Sequence, residues 1–443
     1  MLDNISAVFY SRIRKFKNFF QDKSILCLIL IYSFSPFVSK SLSSIAQGCL
    51  GCFFFYLLIK NPCFFRKEKM TRLFFIAMLT QVISWFLVLI SNPELSSKLP
   101  SVDRLGKLFL FIPIAWGLKK YENPLKYVFL ISLCGFFIGI IINSDFLFEI
   151  SSAIKGERVY FGIRNAQHPS MIFGLIFIIS FLNLFVFGKL EKKAVFFLAV
   201  ILFLSFCGLI FTQTRQSYLA LIICFVVTFP IIFKSGYKFK KIFLIFLVIV
   251  ISAFIFKLNM GDFSERTGDI KAVWISLQKI WHKDTQNINF EEKIDFYVNN
   301  IASTSTGIRL KSWLESVKWI IHKPFFGWGS QARKLVIKKS DNFTNDFKNE
   351  YGHLHNYFIE VLVSYGVCGL FIILLMYWIF LGSLYKVRNI GNGKNIFVTG
   401  FCFVVYWIVI NNFESFNSFW TGVFAHNIFL GALYSRYLNL KVK

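Results

Sequence analysis

Apolar stretches of about 20 residues, the helix length needed to cross the hydrocarbon core of a bilayer, recur throughout this chain. Twelve can be counted, and one long hydrophilic segment, at about residues 261–355, interrupts them. Hydrophobic residues make up 56% of the 443 and charged residues 16%, which is more apolar surface than a soluble domain of this size can bury. Lipid is therefore the expected solvent for most of the chain. The predicted spans are 24–42, 44–59, 71–90, 103–118, 124–142, 169–187, 193–213, 217–233, 241–260, 356–385, 394–412 and 419–437.

Basic residues are concentrated in alternate connections between these spans. If the N-terminus is cytoplasmic, 26 Lys and Arg residues fall on the cytoplasmic side, and eight lie in the short connections on the opposite side. An asymmetry of this kind fixes the orientation of multi-pass membrane proteins. It predicts a bacterial inner-membrane protein with cytoplasmic N- and C-termini and a periplasmic hydrophilic segment. The net charge of +26 therefore indicates topology and does not indicate a nucleic-acid partner.

The order of the spans predicts the domain organisation. We expect an all-α polytopic membrane protein of about 12 transmembrane helices, with one large periplasmic loop that contains short helices. The predicted divisions are residues 1–260 with helices 1–9, residues 261–355 as a periplasmic cap with active-site residues, and residues 356–443 with helices 10–12. In the cap, apolar residues recur at helical spacing from Leu310 to Ile321, which predicts an amphipathic helix on the membrane surface.

The cysteines give no sign of a disulfide framework. Eight of the nine lie in or beside apolar spans, and Cys63 lies in a predicted cytoplasmic connection. We interpret them as small core residues, and they predict neither disulfides nor a zinc site. No small-residue cleavage pattern follows the first apolar run, which is therefore expected to remain as the first span.

Several arginines lie on the predicted periplasmic side, where a cation works against the orientation rule and needs another reason. Arg215 stands in Phe-Thr-Gln-Thr-Arg-Gln (211–216), a short polar connection between two apolar spans. It either extends to lipid headgroups or forms a planar, bidentate clamp for phosphate. Arg309 lies on the polar face of the amphipathic stretch and could be a solvated residue or a second clamp. Arg158 and Arg164, with His168, form a third basic group, for which ordinary surface charge is the simpler interpretation.

The segment Tyr351-Gly-His-Leu-His-Asn356 joins the predicted cap to the tenth span. A histidine at this position can act as a general base near neutral pH, so His353 and His355 are candidates. Two histidines make a weak metal site, and no third ligand is evident nearby in the sequence. Asn356 opens the helix, and Glu360, one turn further, could point back at the same site, since an acid at that depth is costly without a function.

The sequence lacks the motifs of nucleotide-dependent transferases. It has no Asp-x-Asp metal-nucleotide motif, no Gly-rich phosphate loop and no Rossmann pattern. A sugar nucleotide or ATP is therefore a disfavoured substrate, and no metal or cofactor is expected.

Four motifs resemble the O-antigen ligase and polymerase superfamily, whose members carry one large periplasmic loop between spans nine and ten. They are Thr212-Gln213-Thr214-Arg215, Gly307-Ile308-Arg309, Lys323-Pro-Phe-Phe-Gly-Trp-Gly329, and His355-Asn356 followed after nine residues by Gly366-Val-Cys-Gly369. The motifs span about residues 190–385, and their order adds to their specificity. Residues 1–150 contribute no motif.

The resemblance implies transfer of a polysaccharide from undecaprenyl pyrophosphate to the outer sugar of lipid A-core, without metal or nucleotide. Carried over, Arg215 and Arg309 hold the donor pyrophosphate and stabilise the leaving group. His355 is the base that takes the proton from the acceptor hydroxyl in an inverting displacement. Arg158, Arg164, His353, Asn356 and Glu360 are possible supporting residues.

Three alternatives remain open at this stage. An O-antigen polymerase uses the same chemistry on a second lipid-linked glycan, and a relative of the same superfamily attaches glycans to protein. A lipid-linked oligosaccharide flippase also has about twelve helices, but transporters place polar residues and broken helices near the bilayer midplane. Here the polar residues concentrate at one face, which favours an interfacial active site.

Overall fold

The computed structural model describes residues 23–187, 190–234, 262–281, 289–350 and 352–442. Within these ranges the regular elements are all helical, which confirms the predicted all-α class. The helices are α1 (Lys23–Val38), α2 (Lys40–Lys60), α3 (Pro62–Lys67), α4 (Lys69–Ser91), α5 (Asp103–Gly106), α6 (Phe111–Leu118), α7 (Pro124–Asn143), α8 (Phe146–Ile154), α9 (Gln167–Phe181), α10 (Lys192–Thr212), α11 (Arg215–Lys234), α12 (Asp262–Trp281), α13 (Phe290–Asn300), α14 (Ser305–His322), α15 (Ala332–Lys339), α16 (Asn345–Glu350), α17 (Tyr357–Lys386), α18 (Gly393–Asn411) and α19 (Trp420–Val442).

Among the described residues, seven helices are long and apolar enough to cross a membrane. They are α2, α4, α7, α9 with its continuation to Val186, α10, α17 and α18, and each coincides with a predicted span. Two shorter apolar helices, at Lys23–Val38 and Arg215–Ile231, coincide with two more. The protein is thus a multi-pass membrane protein. The ninth predicted span, 241–260, lies outside the described residues, and the divisions at 260 and 355 stay predictions.

The spanning helices give the bundle two ends, which we name by the residues found there. The upper end contains Ser91, Thr212 and His355, and the lower end contains Lys60, Lys120 and Lys386. Helices α12 to α16 belong to the hydrophilic segment, which returns the chain to the upper end at α17.

The fourth predicted span, 103–118, is not a continuous helix. After α4 the chain turns back into the bundle, and Leu105 N donates to Gln81 Oε1 (2.9 Å), ten residues below the upper end of α4. Ten helical residues correspond to about 15 Å, so the chain re-enters the bundle well below its upper end. The eight-residue α6 is then long enough to cover the remaining distance to the lower end. Asn427 bonds the backbone at the break, accepting from Phe111 N (2.9 Å) and donating to Lys107 O (2.8 Å). Hydropathy detects the apolar run but not the side chain that replaces its helical hydrogen bonds.

Helix α17 is kinked at Gly366, where φ is 64° and ψ is −162°. The turn Pro324–Gly329 docks against the kink and completes its backbone hydrogen bonds, with Val367 N donating to Pro324 O (2.8 Å) and Trp328 N donating to Val363 O (2.9 Å). Ser84 of α4 joins them by donating to Ser364 O (2.9 Å). The Lys323–Gly329 and Gly366–Gly369 motifs are thus two halves of one junction that holds the extramembrane segment to a spanning helix.

A Gly366→Ala substitution should destabilise this junction. A Cβ atom at Gly366 would lie 2.3 Å from Phe325 O and 2.4 Å from Pro324 O, in a left-handed conformation that Ala adopts at a cost of about 1–3 kcal/mol even without the overlap. Gly382 in the same helix has no atom within 4 Å of such a Cβ. Thermal unfolding of the detergent-solubilised protein should therefore shift down by several degrees in Gly366→Ala, and Gly382→Ala should unfold as the parent does. Equal midpoints for the two variants would contradict the docking of the turn.

Helix α14 confirms the predicted amphipathic helix over residues 310–321. Its polar side, including Ser312, Glu315 and Ser316, is buried against the rest of the extramembrane segment. Ile321, on the apolar side, is exposed. This arrangement fits a helix that turns its apolar face towards lipid.

All nine cysteines are free thiols, but only Cys224 and Cys402 are buried and five are exposed, so the interpretation of the cysteines as core residues is largely wrong. The orientation of the bundle can therefore be tested by labelling single cysteines introduced into a cysteine-free background. Ser340, a position in the extramembrane segment, is buried, so the neighbouring exposed Asp341 is the better probe. In cells with a permeabilised outer membrane, Asp341→Cys should react with an impermeant thiol reagent, and Glu122→Cys, exposed at the lower end, should react only after lysis. Labelling of the lower-end cysteine in intact cells would contradict the orientation.

Candidate active site

His355 is paired with Glu414 at the upper end of the bundle. Its Nδ1 atom lies 3.0 Å from Glu414 Oε2, in the connection between α18 and α19. When Nδ1 of a neutral imidazole carries the proton and donates to a carboxylate, Nε2 is unprotonated. Nε2 can then accept a proton from a substrate. Asn356 caps α17 by accepting from Phe358 N (3.0 Å) and Ile359 N (3.2 Å), so the helix start fixes the backbone beside His355.

Glu414 is fully buried, and its surroundings favour the charged form. Burial by itself would raise the pKa of its carboxyl, but the hydrogen bond from His355, the neighbouring imidazoles and the backbone N–H of Ser415 together lower the pKa to about 2. Glu414 is therefore a carboxylate at neutral pH, able to orient an imidazole and to stabilise an imidazolium.

His353 lies against the same pair. The imidazole rings of His353 and His355 are 3.9 Å apart between centroids, and His353 Nδ1 lies 3.4 Å from Glu414 Oε1. The backbone N–H of His355 donates to His353 Nδ1 (3.3 Å), so this atom acts as an acceptor. Burial lowers the pKa of the His353 imidazole to about 4, which makes it neutral at neutral pH.

These three residues could also hold a metal ion. One ligand atom from each of His353, His355 and Glu414 lies within 4.8 Å of the others. Glu414 is the third ligand that the sequence did not reveal, because it lies 59 residues beyond His355 in the chain. Two imidazoles and a carboxylate match the ligand set of several catalytic zinc sites. The geometry thus permits either a general base with its orienting carboxylate or a metal centre, and the two make opposite predictions for chelation.

Arg309 reaches the same site from α14. Its Nη1 atom donates to Phe413 O (3.4 Å), one residue before Glu414. The hydrogen-bond network orients the amide of Gln167 so that its oxygen accepts from Arg309 Nη2 (3.0 Å) and its nitrogen donates to Glu414. The guanidinium is half-buried and lies next to the histidine-carboxylate pair.

Arg215 is the half-buried first residue of α11. Thr214, just before it, donates to Ala166 O (3.2 Å), and Arg158 Nε donates to Thr212 O (3.2 Å). The 212–215 turn is thereby attached to the connection between α8 and α9. The two arginines predicted from different segments, Arg158 and Arg215, belong to one local cluster.

Arg164 lies between this cluster and the histidines. Its guanidinium stacks 3.8 Å above the ring of Phe419, and Phe419 in turn contacts His353 edge to face at 5.4 Å between centroids. Burial lowers the pKa of Arg164, while the charge of Glu414 opposes that shift. His168, from the same connection, bonds Thr421 Oγ1 through Nδ1 (2.5 Å) and is fully buried, so it positions the α9 and α19 helix starts.

The backbone of this region is strained in a way found nowhere else in the described chain. The four non-glycine residues with positive φ are Phe161, Arg164, Gln213 and His355. They belong to the three segments that carry Arg158, Arg215 and the histidines. Left-handed conformations at non-glycine residues cost about 1–3 kcal/mol each and cluster at functional sites. The strain supports this region as the functional site independently of the side chains.

Glu360 lies behind the pair. Its carboxylate accepts from Leu354 N (3.1 Å) and Ser415 Oγ (2.6 Å), the neighbours of His355 and Glu414. Arg333 Nη1 (3.0 Å) and Ser418 Oγ (2.9 Å) complete its shell. Glu360 is thus a fully bonded buried acid that joins the segment bearing His355 to the segment bearing Glu414.

The structure therefore gathers His353, His355 and Arg309 around Glu414, with Arg164 beside them. Arg158 and Arg215 form the adjoining cluster, and Asn356 and Glu360 support the backbone from behind. Glu414, Arg333 and Gln167 were not predicted. The sequence did contain a signal for Glu414, because it is an acidic residue between two apolar spans. The same argument selected Glu360.

These observations define a polytopic membrane protein with a polar, strained site at the ends of its spanning helices. Residues 198–374 match a family model described as O-antigen ligase. The O-antigen ligase of Escherichia coli (strain K12) is 24% identical over 296 residues, an alignment that covers 65% of this chain and 62% of that protein. Together the two comparisons support membership of the O-antigen ligase family, as the motifs indicated. The family is enzymatic and includes both ligases and polymerases. The matched region contains Arg215, Arg309 and His355 and ends before Glu414.

Proposed function

We propose that this protein is an O-antigen ligase that transfers a polysaccharide from undecaprenyl pyrophosphate to lipid A-core at the periplasmic face of the inner membrane. The observation that carries the proposal is the His355–Glu414 pair (3.0 Å) beside the guanidinium of Arg309. A base and an anion-binding group at one membrane interface are the two functions that this transfer needs. The similarity to a ligase of Escherichia coli favours this activity over the polymerase alternative.

In the proposed mechanism the acceptor hydroxyl oxygen attacks the anomeric carbon of the donor from the face opposite the pyrophosphate. Its proton passes to Nε2 of His355, and Glu414 stabilises the imidazolium that forms. The bond from the anomeric carbon to the pyrophosphate oxygen breaks, and undecaprenyl pyrophosphate leaves with the electron pair. Arg309 and Arg215 stabilise the negative charge on that leaving group. The configuration at the anomeric carbon is inverted.

The remaining residues have supporting roles in this proposal. Arg158 and Arg164 add positive charge around the pyrophosphate, and Phe419 holds Arg164 in place by stacking. Glu360 is a positioning residue, since it holds the backbone on both sides of the base and its carboxylate. His353 packs against His355 and lies where an acceptor sugar could contact it.

The proposal is tested by deleting the gene, restoring it on a plasmid, and examining the envelope glycans. Loss of all polymer on lipid A-core, with polymer still on the lipid carrier, supports a ligase. Capping of lipid A-core with single repeats indicates a polymerase, and unchanged lipopolysaccharide with altered glycoprotein indicates a protein-glycan ligase. Purified protein with lipid-linked donor should remain active in excess EDTA. Loss of activity in EDTA and recovery with a divalent ion would assign His353, His355 and Glu414 to a metal centre instead.

Arg215→Lys should lower glycan transfer at least about tenfold at unchanged expression, because an ammonium cannot bind pyrophosphate in the bidentate geometry of a guanidinium. The measurement is transfer by purified protein at fixed donor concentration. Arg388→Lys at the lower end, where the guanidinium stacks on Tyr385 at 3.4 Å, is the matched control and should transfer normally. Near-normal transfer by Arg215→Lys would show that Arg215 only reaches towards lipid headgroups.

A further inference from the structure

A small cavity lies beside Glu360, between the extramembrane segment and the short helix α5. Its volume is about 20 Å³, and its walls come from α5, the start of α15, the first turns of α17 and the connection that leads to α19. A space of roughly 10–15 Å³ is needed to hold one water molecule, so the cavity admits a single particle of about that size. The mechanism proposed above assigns no ligand to it.

Three buried nitrogen donors belong to side chains that line this cavity. They are Arg104 Nε, Arg333 Nε and Asn417 Nδ2, and none of them has an acceptor within the described part of the chain. Arg333 is 9% exposed and Asn417 is 3% exposed. Buried donors are nearly always satisfied in folded proteins, so these three indicate a ligand that accepts hydrogen bonds.

The amide of Asn417 is fixed as a donor towards the cavity side. Its Oδ1 atom accepts from Trp407 Nε1 (3.0 Å), so the amide cannot be reversed to offer its oxygen without breaking that bond. The hydroxyl of Tyr357, another lining side chain, is also buried and has no hydrogen-bond partner among the described residues. Because a hydroxyl group rotates, it can donate to the same ligand.

Glu360 cannot supply the missing acceptor, although its side chain lines the cavity. A carboxylate offers about four acceptor positions, and those of Glu360 are already used. Oε1 accepts from Leu354 N (3.1 Å) and Ser415 Oγ (2.6 Å). Oε2 accepts from Arg333 Nη1 (3.0 Å) and Ser418 Oγ (2.9 Å). The ion pair with Arg333 also compensates the negative charge that would otherwise repel an anion.

These features favour an anion over a water molecule. A water molecule has two acceptor positions, fewer than the three N–H groups require, and its own hydrogens would need acceptors in turn. A monoatomic anion carries no hydrogen and accepts from any direction. Two of the three donors belong to guanidinium groups, whose hydrogen bonds to an anion are the stronger, charge-assisted kind.

We propose that this cavity binds one chloride ion through Arg104, Arg333, Asn417 and Tyr357. The four side chains come from four separate segments, so the ion connects α5 and the extramembrane segment to α17 and to the connection before α19. The bound ion therefore stabilises the upper end of the bundle next to Glu360. The proposal does not depend on glycan transfer, because binding and unfolding can both be measured without substrate.

The test measures binding of radioactive chloride to the detergent-solubilised, full-length protein, with gluconate replacing chloride at constant ionic strength. We expect saturable binding of one ion per protein and competition by bromide. A ligand that binds only the folded state stabilises it by mass action, so the midpoint of thermal unfolding should rise by a few degrees from gluconate to saturating chloride.

Two variants locate the ion in the cavity. Tyr357→Phe removes only a hydroxyl and should weaken chloride binding about tenfold or more, the usual contribution of a hydrogen bond to a charged group. Arg104→Gln removes a guanidinium and should weaken binding at least as strongly. The matched controls are Tyr127→Phe and Arg66→Gln, two exposed positions that should bind chloride as the parent does.

Three results would overturn the proposal. Without saturable chloride binding, and with the same unfolding midpoint in chloride and gluconate, the cavity holds an ordered water molecule only. Unchanged affinity in both Tyr357→Phe and Arg104→Gln would place the ion elsewhere. Equal losses in the control variants would mean that the effect comes from net charge or general destabilisation. Because none of these assays uses a glycan donor, such a failure would be distinct from failure of the proposed transferase activity.

Discussion

His355→Ala is expected to lower the turnover of glycan transfer by about 10²- to 10⁴-fold, the usual contribution of a general base. The structure gives the physical reason, because His355 is the imidazole whose Nδ1 lies 3.0 Å from Glu414. Binding of the lipid-linked donor should survive, since the proposed mechanism assigns donor binding to the arginines. The measurement is turnover at saturating donor, with donor binding determined separately.

His353→Ala should have a milder effect. Its Nδ1 atom accepts from the backbone and lies 3.4 Å from Glu414, so its loss disturbs packing next to the base without removing the base. His322→Ala, an exposed histidine at the end of α14, controls for loss of an imidazole in the extramembrane segment and should transfer normally. If His353→Ala is inactive and His355→Ala transfers glycan normally, the two assignments must be exchanged.

Glu414→Gln should lower turnover by roughly 10²- to 10⁴-fold, as the loss of an orienting carboxylate does in a hydroxyl-activating triad. An amide at this position cannot stabilise the imidazolium, and it can present a donor to the wrong ring nitrogen. Because Glu414 is fully buried among partners that lower its pKa to about 2, it carries its charge at neutral pH. Single-turnover transfer by purified protein measures the effect on the chemical step.

The control for Glu414→Gln is Glu94→Gln, an exposed carboxylate at the upper end of the bundle. Both variants should insert and bind donor, and only Glu414→Gln should lose turnover. A Glu414→Asp variant should recover part of the activity, because it restores the charge at a longer distance from His355. Normal turnover in Glu414→Gln would leave His355 without an orienting partner and would remove Glu414 from the mechanism.

The sequence could predict the spans because hydropathy depends on composition over some twenty residues, which tolerates local irregularity. It failed at residues 103–118, where the side chains of Gln81 and Asn427 replace the helical hydrogen bonds of the backbone. Those partners are far away in the sequence, and no local pattern marks them.

The residues of the candidate site also fall into a group that the sequence could predict and a group that it could not. Arg215, Arg309 and His355 belong to short motifs and could be selected from the chain alone. Glu414 belongs to none, and its importance arises from a contact across 59 residues. Arg333 was hidden for another reason, since an arginine in a hydrophilic segment gives no hint that it will be buried against Glu360 at 3.0 Å.

The junction at Gly366 makes the turn Pro324–Gly329 and the outer part of α17 one rigid piece, and that piece begins at the histidines. A lid that swung on this turn would carry the base away with it. In the proposed mechanism, opening this segment towards the aqueous side would separate His355 from Glu414, so we expect the lipid chain of the donor to approach the site from within the plane of the bilayer while its glycan stays on the aqueous side.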